Sequence, residues 1–268
     1  MVSAAKLHKA QEAVIQMRPY ALKLQEILSN LSASLDSSDG IYSKERKVKN
    51  VLLVSITSNR GLCGGFNNNV IKTVNHLAKS TYKESNVTVL SIGKKSNDAF
   101  KNTELGIKGT LLPRHADTIW DELTFDNSSE IAQNLMDQFA EGHQDKIVLV
   151  YNQFKNAAVQ LVQEEQYLPV LPPEIQEGEK TATTDYIFEP NKESIIEEMI
   201  PKSLKTQLYK ALLDSQASEH GARMTAMHKA TDNAQDLQDE LKLVYNKARQ
   251  AAITNEILEI VAGAEALG

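Results

Sequence analysis

Apolar and small side chains recur along residues 201–268 in alternating steps of four and three. They fall at Leu204, Leu208, Ala211, Ser215, Ser218 and Ala222, and again at Leu237, Leu241, Val244, Ala248 and Ala251. No proline follows Pro201, and the only interior glycines are Gly221 and Gly263. The pattern predicts a single helix from Pro201 to Gly268, on the order of 100 Å long at ~1.5 Å per residue. A heptad seam needs a partner helix. The start of the chain offers one in Leu7, Ala10, Val14, Met17, Ala21, Leu24, Leu28, Leu31 and Leu35. Two terminal helices closing into an antiparallel coiled coil make a shaft rather than a pocket. Pro19 interrupts the first helix's hydrogen bonding without shifting its phase, so a continuous, slightly bent helix is expected. Ala222, Ala226, Ala230 and Ala234 step by four, which relaxes the left-handed supercoil locally. The plainer reading of that stretch is an exposed single helix rich in a good helix former.

Between these helices the period shortens. VLLVSIT (51–57), VTVLSIG (87–93) and KIVLVYN (146–152) are short Val- and Ile-rich runs of the kind that form buried parallel strands. Helical stretches near Asn68–Tyr82, Lys94–Lys101 and Ser128–Gly142 separate or precede them. The alternation predicts a Rossmann-like α/β domain with a mostly parallel sheet and right-handed crossovers. A further strand is expected after Asn156, an irregular crossing over Leu111–Thr124, and a candidate edge strand at Asp185–Phe188 before Pro190. The predicted divisions are an N-terminal coiled-coil helix at 1–38, the α/β domain at 48–190 and a C-terminal coiled-coil helix at 201–268.

Charge alters this picture little. The formal net charge of −6 argues against a general nucleic-acid binder, and residues 164–198 hold ten acids against Lys180 and Lys192. The single cysteine, Cys63, excludes an intramolecular disulfide and fits a reducing compartment. No apolar run reaches the roughly 18 residues of a membrane span.

The most tempting chemical motif is SNRGLCGGFNNN (58–69), a glycine-rich loop between a strand and a helix, where α/β proteins often cradle phosphates. It contains no G-x-G-x-x-G, and no Lys-Ser/Thr follows its glycines, so a tight strand-to-helix turn is the better account. Cys63 has no evident activating base and is expected to be a packed thiol. The six histidines show no metal-ligand spacing, although His220 and His228 could share a helix face. No catalytic residue, cofactor or metal is expected.

Longer motifs identify a family. ASEHGARMTAMHKATDNA (217–234), LVYNKARQAAIT (243–254) and ITNEILEIVAGAEA (253–266) resemble the gamma subunit of the F-type rotary ATP synthase. The last carries that family's Ile253, Thr254, Glu256, Glu259, Gly263 and Ala264 in register. MVSAAKLHKAQ (1–11), RPYA (18–21), SNRGLCGGFN (58–67) and DYIFEP (185–190) match its other landmarks, so the resemblance spans the chain.

The resemblance implies a central rotor stalk, without catalysis of its own, inside a ring of alternating alpha and beta subunits. The α/β domain would be a foot resting with the epsilon subunit on the membrane's c ring. It further implies that Arg249, Gln250, Thr254, Glu256 and Arg223 contact a beta subunit, and that Tyr186, Phe188 and Glu189 face the c ring and epsilon. Membrane association would come only through these partners, on the cytoplasmic face of a bacterial inner membrane or, alternatively, the matrix side of a mitochondrial one. The chain lacks the cysteine-bearing insertion of the chloroplast relatives. In the family a helical segment of roughly 20–25 residues, on the order of 30–40 Å, usually precedes the Met-Val-x-Ala-Ala-Lys motif. Here Met1 opens the motif. Residues 250–268, with Ala251, Leu258, Val261 and Ala262, are therefore expected to lack cover and to fray or self-associate. The competing readings are a coiled-coil scaffold or assembly protein and, less favoured, a nucleotide-dependent α/β enzyme.

Overall fold

Every residue of β1 (Asn50–Ile56) after its first is buried, so both faces of this strand must be covered. The computed structural model describes residues 2–32, 41–107, 112–113, 116–170 and 192–266. Around β1 lie α2 (Phe66–Lys79), β2 (Asn86–Ile92), α3 (Lys94–Phe100), a 3₁₀ turn at Ala116–Trp120, α4 (Phe125–Ala140), β3 (Lys146–Phe154) and β4 (Gln160–Leu168). The sheet order is β2-β1-β3-β4; β1 runs parallel to β2 and β3, and β4 is antiparallel to β3. The mostly parallel sheet read from the sequence is present. The strand expected after Asn156 is β4, and the irregular crossing contains the 3₁₀ turn. The three predicted helices occur, with Lys94 starting α3 as expected and the other ends displaced by one to three residues. Asp185–Phe188 lies outside the described residues.

Alternation along β1 divides its side chains between two cores. Val51 and Leu53 meet Val70, Val74 and Leu77 of α2, together with Phe100. Leu52, Val54 and Ile56 meet Ala132, Leu135, Met136 and Phe139 of α4 and Leu204, Leu208, Ala211 and Leu212 of the last helix. At about 1.5–3 kcal/mol per large apolar side chain buried, the C-terminal helix is a principal wall of this domain.

That helix, α5, spans Lys192–Glu265, nine residues earlier than expected, with Pro201 inside it. Proline costs one backbone hydrogen bond, but Ile200, Leu204 and Leu208 on either side are buried in the sheet's core and hold the helix through it. The first helix, α1 (Val2–Ser32), is continuous across Pro19, as expected.

The chain divides into two compact units, Met1–Met224 and Thr225–Gly268. Within the first, the expected seam is buried from Leu204 to Ala222, but much of it meets the sheet rather than α1. Ser218 donates to the Asn152 carbonyl of β3 at 3.0 Å. A Cβ on Gly221 would lie 3.2 Å from the Ala157 backbone, so the missing side chain permits this close approach. The small residues read as coiled-coil positions are places where a helix presses against a sheet. α1 packs beside this face: Leu7, Ala10 and Val14 meet Leu213 and Ala217 of α5 and Phe154 of β3. Arg18 sits at Asp214 while Lys6 lies near Glu219, so the two helices run in opposite senses. The side chains of Leu28 and Leu31, and Leu35 entirely, lie outside the description.

Candidate functional site

The second unit is a single helical stretch. Leu237, Leu241, Leu243, Val244, Tyr245, Ile253, Ile257, Leu258, Ile260 and Val261 are all exposed, each by about half or more of its surface. Leu243, Val244 and Tyr245 are consecutive, so apolar side chains encircle the helix instead of forming one stripe. A helix that is apolar all round normally belongs inside something. Ala251 and Ala262 are exposed as well.

Four of the expected partner contacts lie here. Arg249, Gln250, Thr254 and Glu256 are exposed. Arg249 makes no ion pair or hydrogen bond among the described residues, leaving its planar fork of donors open. The Thr254 hydroxyl donates to the Gln250 carbonyl at 2.9 Å and is engaged by its own helix.

Arg223 is differently placed. Its guanidinium pairs with Glu219 at 2.7 Å and donates to the carbonyls of Arg60 and Gly61 at 3.3 Å. It thus clamps the glycine-rich loop to α5. Beneath the loop, Cys63 packs with Phe66 and Ala222, the packed thiol expected. The Asn67 side chain accepts from the Ser58 amide at 2.9 Å and donates to the Ser58 hydroxyl at 2.9 Å, tying the turn to the helix it introduces. Leu62 stands 75% exposed at the tip with φ +61°, a conformation rare for a leucine. Tyr186, Phe188 and Glu189 lie outside the described residues.

The sequence reading missed a polar joint between α1, α5 and the sheet. Arg18 donates to Asp214 Oδ1 at 2.9 Å and to the Phe154 carbonyl at 2.8 Å. Burial raises the Asp214 pKa, against the pull of Arg18. Close by, Tyr151 donates to Glu165 at 2.7 Å, and Gln207 donates to the same carboxylate at 2.8 Å. The signal was available: Asp214 is an acid inside the apolar run ALLDSQA. His220 is half-buried, and burial followed by the charges of Arg223 and Lys6 lowers its pKa to about 4. His228 is exposed. No group of three or more potential metal-ligating side chains occurs among the described residues.

The family model described as ATP synthase matches residues 1–267. The ATP synthase gamma chain of Flavobacterium psychrophilum is 60% identical over 268 residues, covering all of this chain and 91% of the relative. That of Christiangramia forsetii is 58% identical with the same coverage. The chain belongs to the ATP synthase gamma-chain family. Members of this family are non-catalytic subunits of the ATP synthase complex. A chain of the Tetrahymena thermophila mitochondrial ATP synthase central stalk and c ring shares the fold at TM-score 0.60, with 24% identity over 86% of this chain and 96% of that one. A chain of the Euglena gracilis enzyme matches at 0.58, with 19% identity over 98% and 95%.

Proposed function

We propose that this gamma chain is the central rotor stalk of a proton-translocating F-type ATP synthase. It couples rotation of the membrane c ring to ATP synthesis or hydrolysis in the alpha/beta ring. The observation that carries this reading is the stretch Thr225–Glu265, where apolar side chains are exposed on every side of one helix. Such a helix is satisfied by a sleeve rather than by a single neighbour, and a closed ring of alternating subunits is a sleeve. Because the helix carries different side chains on each face, each catalytic subunit around it meets a different surface and is biased to a different conformation.

In this reading 1–38 and 201–268 are the stalk helices and 48–190 is the foot, with the lower part of α5 serving also as a wall of the foot. Arg249, Gln250 and Glu256 meet a beta subunit; Arg249 suits a carboxylate there because its two-pronged geometry fixes orientation as well as charge. Thr254 sits in the same patch. Arg223 contributes by holding the 58–65 loop in place. Tyr186, Phe188 and Glu189 are assigned to the foot's contact with epsilon and the c ring. No helix among the described residues is long and apolar enough to cross a membrane. Attachment is assigned to the c ring at the cytoplasmic face of a bacterial inner membrane, in keeping with bacterial relatives of high identity.

The test is complementation. Membranes from a bacterium deleted for its gamma chain and supplied with this one should regain ATP-driven proton pumping and retain the catalytic head after washing. Hydrolysis restored without pumping would count against the stalk role.

A further inference from the structure

The contact between α1 and α5 has a weakness that its apolar residues cannot correct. The α1 seam repeats without a break at Leu7, Ala10, Val14, Met17, Ala21 and Leu24. Sliding the helix by seven residues toward its N-terminus puts Val14 where Leu7 was, Met17 where Ala10 was and Ala21 where Val14 was. Every apolar position is refilled by another apolar residue, so burial alone discriminates poorly between the two registers.

One polar contact does discriminate. Asp214 is the only charged side chain among the described buried core residues, with no exposed side-chain surface. Its Oδ1 accepts from Arg18 at 2.9 Å, and its Oδ2 has no hydrogen-bond partner among the described residues. The same guanidinium nitrogen donates to the Phe154 carbonyl, so α1, α5 and β3 converge on one side chain. The neighbouring charge of Lys210 bears on Asp214 but pairs with Glu165 at 3.9 Å. A slide of one heptad carries Arg18 ~10.5 Å along the helix axis. It would leave a buried carboxylate without its partner, a change that is strongly disfavoured.

We propose that the Arg18–Asp214 pair is the register key of the N-terminal helix: it selects one of two apolar-equivalent positions of α1 on α5 and β3. A single polar residue in a repeating seam is the best-attested way for a helix pair to fix its alignment. The inference concerns only the first compact unit and stands apart from the stalk reading. Within a stalk, it would determine which face of α1 accompanies each face of α5.

Moving the key tests this directly. In Arg18→Met/Gln25→Arg the arginine is displaced by one heptad, and the helix should follow it. Spin labels at Lys9→Cys and Lys202→Cys, both exposed and both in the first unit, would report the slide by pulsed electron resonance. The label separation should lengthen by up to about 10 Å in the rekeyed chain. Removing the key with Arg18→Met/Asp214→Leu should keep the domain folded, because it removes the buried carboxylate together with its half-exposed partner, and give two label separations in place of one. The parent separation alone, in either variant, would overturn the proposal. If the rekeyed chain does not fold, the second variant decides. Unfolding of the second variant would also overturn the proposal, because the pair would then be a source of stability and not of alignment.

Discussion

Leu208 and Leu241 occupy equivalent places in the heptad spacing of one helix, yet the structure gives them opposite surroundings. Leu208 is fully buried against the sheet with Leu52, Leu149 and Leu212, whereas Leu241 is 58% exposed. Truncating Leu208 to alanine removes its transfer free energy and leaves a cavity in a close-packed layer, costing about 3–4 kcal/mol. Truncating Leu241 removes a partly hydrated side chain and substitutes the strongest helix former, changing stability by less than about 0.5 kcal/mol. Trp120, the single tryptophan, packs against the cluster that contains Leu208 and reports its unfolding by fluorescence. With a urea dependence of ~2–3 kcal/mol/M, Leu208→Ala should lower the midpoint by about 1–2 M while Leu241→Ala leaves it within about 0.2 M. Equal shifts would refute the assignment of the 204–222 face to the sheet core and favour one continuous coiled-coil seam.

Other outcomes follow from single contacts. Gly93→Ala should cost about 3 kcal/mol and lower the melting temperature by about 6–12 °C by calorimetry, because a Cβ there would lie 2.1 Å from the Thr57 carbonyl at φ +128°. Arg223→Lys should loosen the loop above Cys63, since an ammonium cannot reach Glu219 and two carbonyls together; the rate of Cys63 modification by a thiol reagent should rise about tenfold, as expected for a lost clamp of ~1.4 kcal/mol. Arg249→Ala should leave the assembled ATPase intact but reduce protons pumped per ATP in membrane vesicles; unchanged coupling would remove Arg249 from the beta-subunit contact.

The elements of the α/β domain were legible because its strands are short, Val- and Ile-rich and buried on both faces, leaving few alternatives for 51–57, 87–93 and 146–152. The long helix was legible from its spacing, but the identity of its neighbour was not. Steps of three and four state which face is buried and nothing of what buries it. Leu204, Leu208 and Ala211 read as a coiled-coil seam although they line a sheet. Pro201 read as a start because the local rule takes no account of Ile200 and Leu204 anchoring the helix on both sides. Arg223 was singled out by family resemblance as a partner contact, while its bonds to Arg60 and Gly61 depend on a loop about 160 positions away. The Arg18–Asp214 pair escaped for the same reason: only tertiary structure brings together residues 196 positions apart.

Rotation is the most direct readout of the stalk's role. The catalytic ring would be immobilised through its beta subunits with this chain at its centre, and a probe attached at Lys72→Cys, an exposed site on α2. Buried Cys63 would not compete for the label. Addition of ATP should drive unidirectional turning of the probe, and turning should stop when hydrolysis is inhibited. A probe that keeps one orientation while the ring hydrolyses ATP would rule out the rotor role.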